Sequence, residues 1–136
     1  MKRQFQDEPM HQLDMPEAYS DLTPLQKEAL AYWIDHAMCY ATRYSKRTSY
    51  GIKHDFEAEG FYITNGQLKG AMLAAGYQPE DAKELNWTFK VKPCRDASLS
   101  SVDSGKFMIG KNQPNHQRYY QMLTQVKESK PMEKGC

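Results

Sequence analysis

The residue types that most often carry out chemistry occur in this chain only as isolated pairs. His36 and Cys39 lie three residues apart, a spacing that places both on one face of a helix. His54 and Asp55 are adjacent and match half of a metal-hydrolase dipeptide. A zinc site needs three or four ligands at defined spacing, and no second histidine pair completes either set. The sequence therefore predicts no metal site.

Nucleophilic catalysis and phosphate binding also lack their usual signatures. No serine stands in a G-x-S-x-G turn, and a Cys–His pair on one helix lacks the separate group that orients the base. Neither G-x-x-x-x-G-K-[ST] nor G-x-G-x-x-G occurs, so no phosphate-cradling loop is indicated. We predict a non-enzymatic protein with no catalytic residues and no cofactor.

Basic and aromatic residues indicate a different chemistry, the binding of macromolecules. Residues 43–54 carry four Lys or Arg residues, one His and no acid. Such a cluster either anchors phosphates or forms a solvated basic face beside acidic neighbours. The nine tyrosines exceed what a core of this size needs, and tyrosine and arginine are favoured at interface hot spots. The predicted partner- or nucleic-acid-binding residues are Arg43, Tyr44, Lys46, Arg47, Tyr50, Lys53, His54, Gln67 and Lys69.

A long first helix is predicted over residues 24–44. Thr23 and Gln26 have the spacing of a capping box, with proline at the first helical position between them. Apolar residues then recur at three- and four-residue steps and make one continuous stripe. This helix is therefore expected to be central to the core.

Two shorter helices follow, predicted over residues 49–58 and 65–75. Gly60 suits the C-terminal stop of the first of them. Thr64 and Gln67 form a second capping box, which begins the other. Two short helices joined by a tight connection are also typical of a helix-turn-helix, whose second helix enters the major groove of DNA.

The predicted third helix is unusually small-sided, because it contains Gly66, Gly70, Ala71, Ala74 and Ala75. Glycine inside a helix costs up to about 1 kcal/mol relative to alanine, so something is expected to approach this face closely. The first helix is one candidate, and a nucleic-acid backbone or a partner protein is another. Only Gln67 and Lys69 on this helix suit the reading of bases.

The remaining elements give an α+β fold class. Apolar and polar residues alternate over 85–92, which predicts a strand that pairs with a short apolar piece at 61–63. We therefore predict a compact three-helix core, a small two-stranded ribbon and a C-terminal helix. The predicted organisation is a polar arm at 1–22, a globular domain at 23–93, and a linker, short helix and frayed tail at 94–136. The arm is either disordered or docked through its few apolar residues.

Net charge, cysteine content and the lack of long apolar runs exclude further classes of protein. Eighteen Lys and Arg against 17 Asp and Glu give a net charge of +1, which argues against both a basic nucleic-acid coat and an acidic nucleic-acid mimic. The cysteines are Cys39, Cys94 and Cys136, odd in number and far apart, as is typical of reduced cytosolic thiols. No apolar leader or membrane-length run is present, so we expect a cytoplasmic protein without a membrane partner.

Three strings of residues resemble a known pattern. They are TSYGIKHDFE at 48–57, GFYITNGQLKGAMLAAGY at 60–77 and LNWTFKV at 85–91. Together they are similar to a family of small accessory proteins encoded on plasmids, prophages and conjugative elements of Gram-positive bacteria. The resemblance covers roughly residues 30–92, and it implies a mobile-element setting in a bacterial host rather than a mechanism.

That setting favours one function and leaves another open. Small non-enzymatic proteins of mobile elements often disarm host defences, and anti-CRISPR proteins have a similar size and a similar lack of catalytic motifs. The favoured hypothesis is a protein-binding inhibitor of a defence nuclease, most concretely of a type II CRISPR effector–guide complex. The alternative is a helix-turn-helix-like DNA-binding regulatory or accessory protein. The expected partner is accordingly either a protein or a nucleic acid.

Overall fold

The structure is a computed structural model that describes residues 12–93, 107–109 and 116–134. In chain order, the elements are two 3-10 turns (Gln12–Asp14 and Pro16–Asp21), α1 (Pro24–Ala37), β1 (Met38–Tyr40), α2 (Ser49–Glu59), α3 (Asn65–Ala74), β2 (Val91–Pro93) and α4 (Gln117–Lys134). The predicted α+β class, the helical core and the C-terminal helix are confirmed.

Helix α1 begins where the sequence predicts and ends earlier. The Thr23 hydroxyl accepts a hydrogen bond from Gln26 N at 3.1 Å, and Gln26 Oε1 accepts one from Thr23 N at 2.8 Å. The predicted end at residue 44 is wrong, because Met38 is extended (φ −140°, ψ 156°) and the chain continues as β1. Hydrogen bonding to a distant strand replaces the last helical turns.

The two-stranded ribbon exists, but its predicted pairing is wrong. β1 pairs antiparallel with β2, so that Met38 faces Pro93 and Tyr40 faces Val91. Residues 61–63 lie in no strand, and the predicted strand over 85–92 forms ladder bonds only at its end. The residues before β2 instead accept backbone hydrogen bonds from the loop between β1 and α2. Part of that loop was predicted to be the end of the first helix.

The predicted alternation of apolar and polar residues over 85–92 still determines which side chains are buried. Trp87, Phe89 and Val91 are buried, whereas the residues between them are only partly covered. Helix α1 supplies the centre of the core with side chains that are at most 1% exposed, namely Ala29, Leu30, Trp33, Ile34 and Ala37. Trp33 meets Phe56 of α2 edge to face, with ring centroids 5.4 Å apart. The core therefore joins α1, α2 and the segment before β2.

The small-sided face of α3 is covered by the N-terminal 3-10 turns. A Cβ atom on Gly66 would clash with the carbonyl oxygen of Met15, and one on Gly70 would clash with the side chain of Tyr19. The close partner that the glycines require is thus the segment before α1, in place of α1 itself. The part of the predicted polar arm that lies within the described residues packs against the domain.

Candidate functional site

Ser49, Asn65 and Trp87, one from each of the three strings quoted above, belong to a buried polar network. The Ser49 hydroxyl donates to Asn65 Oδ1 at 2.8 Å and accepts from the backbone N–H of Trp87 at 3.0 Å. Asn65 Nδ2 in turn donates toward Asp14 Oδ1, the Leu85 carbonyl and Asn86 Oδ1, at 3.1–3.2 Å. One amide therefore joins the starts of α2 and α3 to the N-terminal turn and the segment before β2.

Lys69 belongs to the same network. Its side chain is 0% exposed, its ammonium donates to the Asp14 carbonyl at 2.9 Å, and it lies 4.8 Å from the centroid of the Trp87 ring. Desolvation by burial lowers the pKa of Lys69, and the Asp14 carboxylate opposes that shift. The sequence predicted an outward contact residue, and the structure places this lysine inside the fold. We name Ser49, Asn65, Lys69, Asn86 and Trp87 the motif network.

Helix α3 offers little open surface for reading DNA. Gln67 closes the capping box of its own helix, with Oε1 accepting from Thr64 N at 2.9 Å. Residues 68–72 are all buried. A recognition helix needs an exposed face whose side chains reach base edges, and the two predicted reading groups are engaged within the protein.

Arg47 is also used internally. Its guanidinium makes two hydrogen bonds of 2.6 Å to Asp55, whose carboxylate also accepts from the backbone N–H of Phe107 at 3.0 Å.

One turn later on α2, Glu59 accepts from Trp33 Nε1 and from Ile109 N, both at 2.8 Å. These two buried carboxylates tie residues 107–109 to α2. Sequence reasoning missed them, although their helical spacing on the same face as Phe56 was the available signal.

The predicted site residues that remain on the surface are Arg43, Tyr44, Lys46, Tyr50 and His54. Four tyrosines in the described residues are exposed, with exposed fractions of 62% for Tyr40, 38% for Tyr44, 51% for Tyr50 and 69% for Tyr62. All four fall within the stretch from β1 to the connection between α2 and α3. They belong to two surfaces of different chemistry.

The first surface, which we name the α2 patch, consists of Tyr50, His54, Glu57 and Tyr62 around Lys53. Lys53 was predicted as a contact residue, but it is buried beneath the patch, with only 6% of the residue exposed. The ammonium of Lys53 lies 5.6 Å from the Tyr50 ring centroid and 4.9 Å from that of Tyr62. Lys53 also forms an ion pair with Glu57 at 2.8 Å, and His54 lies 3.2 Å from the same carboxylate. His54 meets Tyr50 edge to face at 4.5 Å. The two exposed rings are therefore held in place around a neutralised cation.

The second surface, which we name the tyrosine groove, has a volume of about 260 Å³. It is lined by Tyr40, Tyr44, Gly76, Tyr77, Gln78 and Lys90. The ammonium of Lys90 lies 5.2 Å from the centroid of the Tyr44 ring. None of these lining residues is acidic, so the groove is aromatic and cationic where the α2 patch is mixed in charge.

Of the two pairs suited to chemistry, His54 lies in the α2 patch, whereas His36 and Cys39 belong to neither surface. His36 is on α1, where it stacks on Tyr32 with ring centroids 3.9 Å apart, whereas Cys39 is in β1. Across residues 12–93, 107–109 and 116–134, no three His, Cys, Asp or Glu side chains gather as a metal ion would need. Over the same ranges, none of the helices combines the length and apolar character that crossing a bilayer requires.

Comparison with protein-family models, with curated proteins and with solved structures gives no significant match.

Proposed function

We propose that this protein is a non-enzymatic accessory protein of a mobile genetic element that binds and inhibits a host defence nuclease in the bacterial cytoplasm. The most concrete target is a type II CRISPR effector–guide complex. The observation that supports binding is the placement of four exposed tyrosines, three of them beside a lysine ammonium. The resemblance to mobile-element proteins supports the setting.

The α2 patch has the properties of a protein-binding hot spot. Large aromatic side chains with polar tips give much contact area, and they dominate interface energetics when they become fully desolvated. Tyr50 and Tyr62 already flank Lys53, so little side-chain freedom remains to be lost on binding. Because Glu57 neutralises that lysine, the patch suits a protein surface of mixed polarity better than a polyanion.

The alternative function, duplex DNA binding by a helix-turn-helix-like pair, fits this geometry less well. The turns before α1 cover the small-sided face of α3, and Gln67 and Lys69 have internal partners. Arg47 likewise faces Asp55 rather than solvent phosphates. Of the basic cluster, Arg43 and Lys46 are the exposed Lys and Arg residues.

The direct test is a target-cleavage assay with several type II effectors, each loaded with guide before the purified protein is added. We expect reduced cleavage by at least one effector, together with co-elution of the protein and that complex. Undiminished cleavage by every effector, with no co-elution, would overturn the proposal.

A further inference from the structure

The tyrosine groove differs from the α2 patch in ways that indicate a different kind of ligand. It lies where β1 ends, and the turn after α3 and the residue before β2 complete it. Its size suits one or two planar groups rather than a whole folded partner or a drug-sized molecule, whose pockets begin near about 300 Å³.

Two tyrosines of the groove present their rings to solvent. Tyr40 is the last residue of β1, and its backbone is fixed by pairing with Val91. Tyr44 is in the following loop, where the backbone N–H of Ser45 donates to the Phe89 carbonyl at 2.8 Å. Both rings are therefore exposed, and the backbone that carries them is held by hydrogen bonds. Bases stack on such aromatic platforms with little dependence on sequence, because every base has a π face.

The charge around these rings favours an anion. Lys90 is the one charged residue that lines the groove, and within the described part of the chain its ammonium makes no ion pair. Arg43 and Lys46 are exposed in the loop that carries Tyr44, and Lys92 is exposed on β2. The acids of the neighbouring segment are Glu80, Asp81 and Glu84, which line a separate cavity beside Thr88 and not the groove. The Glu80 carboxylate accepts from the Thr88 hydroxyl at 3.0 Å.

We propose that the tyrosine groove binds a single strand of nucleic acid, with bases stacked on Tyr40 and Tyr44 and phosphates held by Lys90, Arg43 and Lys46. An acidic peptide matches the charge but supplies no series of planar faces for the rings. Duplex DNA conceals its base faces within the stack. The biological source of the strand rests on the proposed function, since an effector–guide complex carries guide RNA and exposes single-stranded DNA.

Fluorescence anisotropy with the full-length protein and labelled strands of about 12 nucleotides tests this directly. Parallel titrations use single-stranded RNA, single-stranded DNA, duplex DNA and an acidic peptide of equal length. We expect both single strands to bind more tightly than the duplex or the peptide, and we expect affinity to fall with salt. The stronger of the two single strands identifies the natural ligand class.

Matched variants locate the binding to the groove. Tyr40→Ala should weaken strand binding about 5- to 150-fold, as expected for the loss of one stacked base, while Tyr40→Phe keeps the ring and should retain most of the affinity. Leu85→Ala shortens a half-exposed apolar side chain outside the groove and should leave strand binding unchanged. Removing Lys90 with Lys90→Ala should lower the salt slope by about 0.7 if it contacts a phosphate.

Three outcomes overturn the inference: no strand binding at low salt, tighter binding of the acidic peptide, or equal strand binding by Tyr40→Ala and the unaltered protein. Thermal unfolding of each variant establishes that a lost affinity is not lost folding. The proposed function fails differently, through undiminished nuclease cleavage. A protein that inhibits the nuclease but binds no free strand keeps that function and loses this inference.

Discussion

Lys69 and Lys90 have the same local geometry in two contrasting regions of the molecule. Each ammonium lies about 5 Å from an aromatic ring, at 4.8 Å from Trp87 and 5.2 Å from Tyr44. Lys69 is fully buried in the motif network and bonded to the Asp14 carbonyl. Lys90 lines an open groove. Local pairing of a cation with an aromatic ring therefore does not identify a binding site, because the surroundings decide its role.

This contrast between buried and exposed surroundings distinguishes the residues that stabilise the fold from the residues that are available to contact a partner. Removing one partner from the buried region leaves other buried polar groups unsatisfied, which is costly. Removing an exposed tyrosine leaves nothing unsatisfied in the interior. Substitutions in the buried polar groups should accordingly lower the free energy of unfolding, and substitutions on the tyrosine surfaces should lower affinity instead.

The largest expected loss of stability comes from breaking the Arg47–Asp55 pair. Asp55→Ala removes the acceptor of both guanidinium bonds and of the Phe107 N–H. We expect a loss of about 3–5 kcal/mol in the free energy of unfolding, measured by urea denaturation, because the buried Phe107 N–H and the partly exposed Arg47 guanidinium both lose a charged acceptor. A loss below about 1 kcal/mol would show that this pair is not part of the structural framework.

Asn65→Ala should have the next largest effect. It removes the group that connects Ser49, Asp14 and Asn86, and the buried Ser49 hydroxyl loses its acceptor. We expect a loss of about 2–3 kcal/mol, since each unsatisfied buried group costs about 1–3 kcal/mol. The control is Leu85→Ala, which truncates a half-exposed side chain while keeping the backbone carbonyl bonded to Asn65. Equal stability of the two variants would contradict a structural role for the motif network.

The buried Tyr119 of α4 should make stability depend on alkaline pH. Burial raises the pKa of Tyr119, and the charges of Glu59 and Tyr120 raise it further. A tyrosine in the unfolded chain titrates near pH 10, so the protonated Tyr119 contributes stability that is present below about pH 10 and lost as pH rises above it.

Tyr119→Phe tests that dependence. At neutral pH it should cost about 1 kcal/mol, because the hydroxyl no longer donates to the Glu59 carbonyl at 2.9 Å. The decline of unfolding free energy between about pH 9 and 11 should become shallower, with a residual slope from Tyr120, whose pKa is also raised by burial. An unchanged slope in denaturation series at these pH values would contradict the assignment.

Local signals predicted the beginnings of helices well. The capping boxes at Thr23 and Thr64 are complete within four residues, and both form as expected. The end of α1 was not predictable in the same way, because it depends on the pairing of Tyr40 with Val91, far along the chain. The partner of Gly66 was missed for the same reason, since the covering segment precedes α1.

The candidate site was predicted only in part. The stretch 43–54 does contain the exposed Arg43 and Lys46, but composition could not show that Arg47 turns inward to Asp55. Nor could it show that Tyr62 joins Tyr50 around one lysine, because that contact depends on the turn between α2 and α3. The groove was missed because Tyr40 and Lys90 meet only through the β1–β2 pairing.

The central claim, that the exposed tyrosines form the inhibitory contact while the motif network supports the fold, is tested most directly by one titration. Cleavage by a susceptible effector–guide complex is measured against the unaltered protein, the Tyr50→Ala/Tyr62→Ala double variant and Leu85→Ala. We predict that the double variant needs at least about tenfold more protein for equal inhibition while its unfolding free energy changes by less than about 1 kcal/mol, and that Leu85→Ala inhibits normally. Equal inhibition by all three proteins would contradict the account.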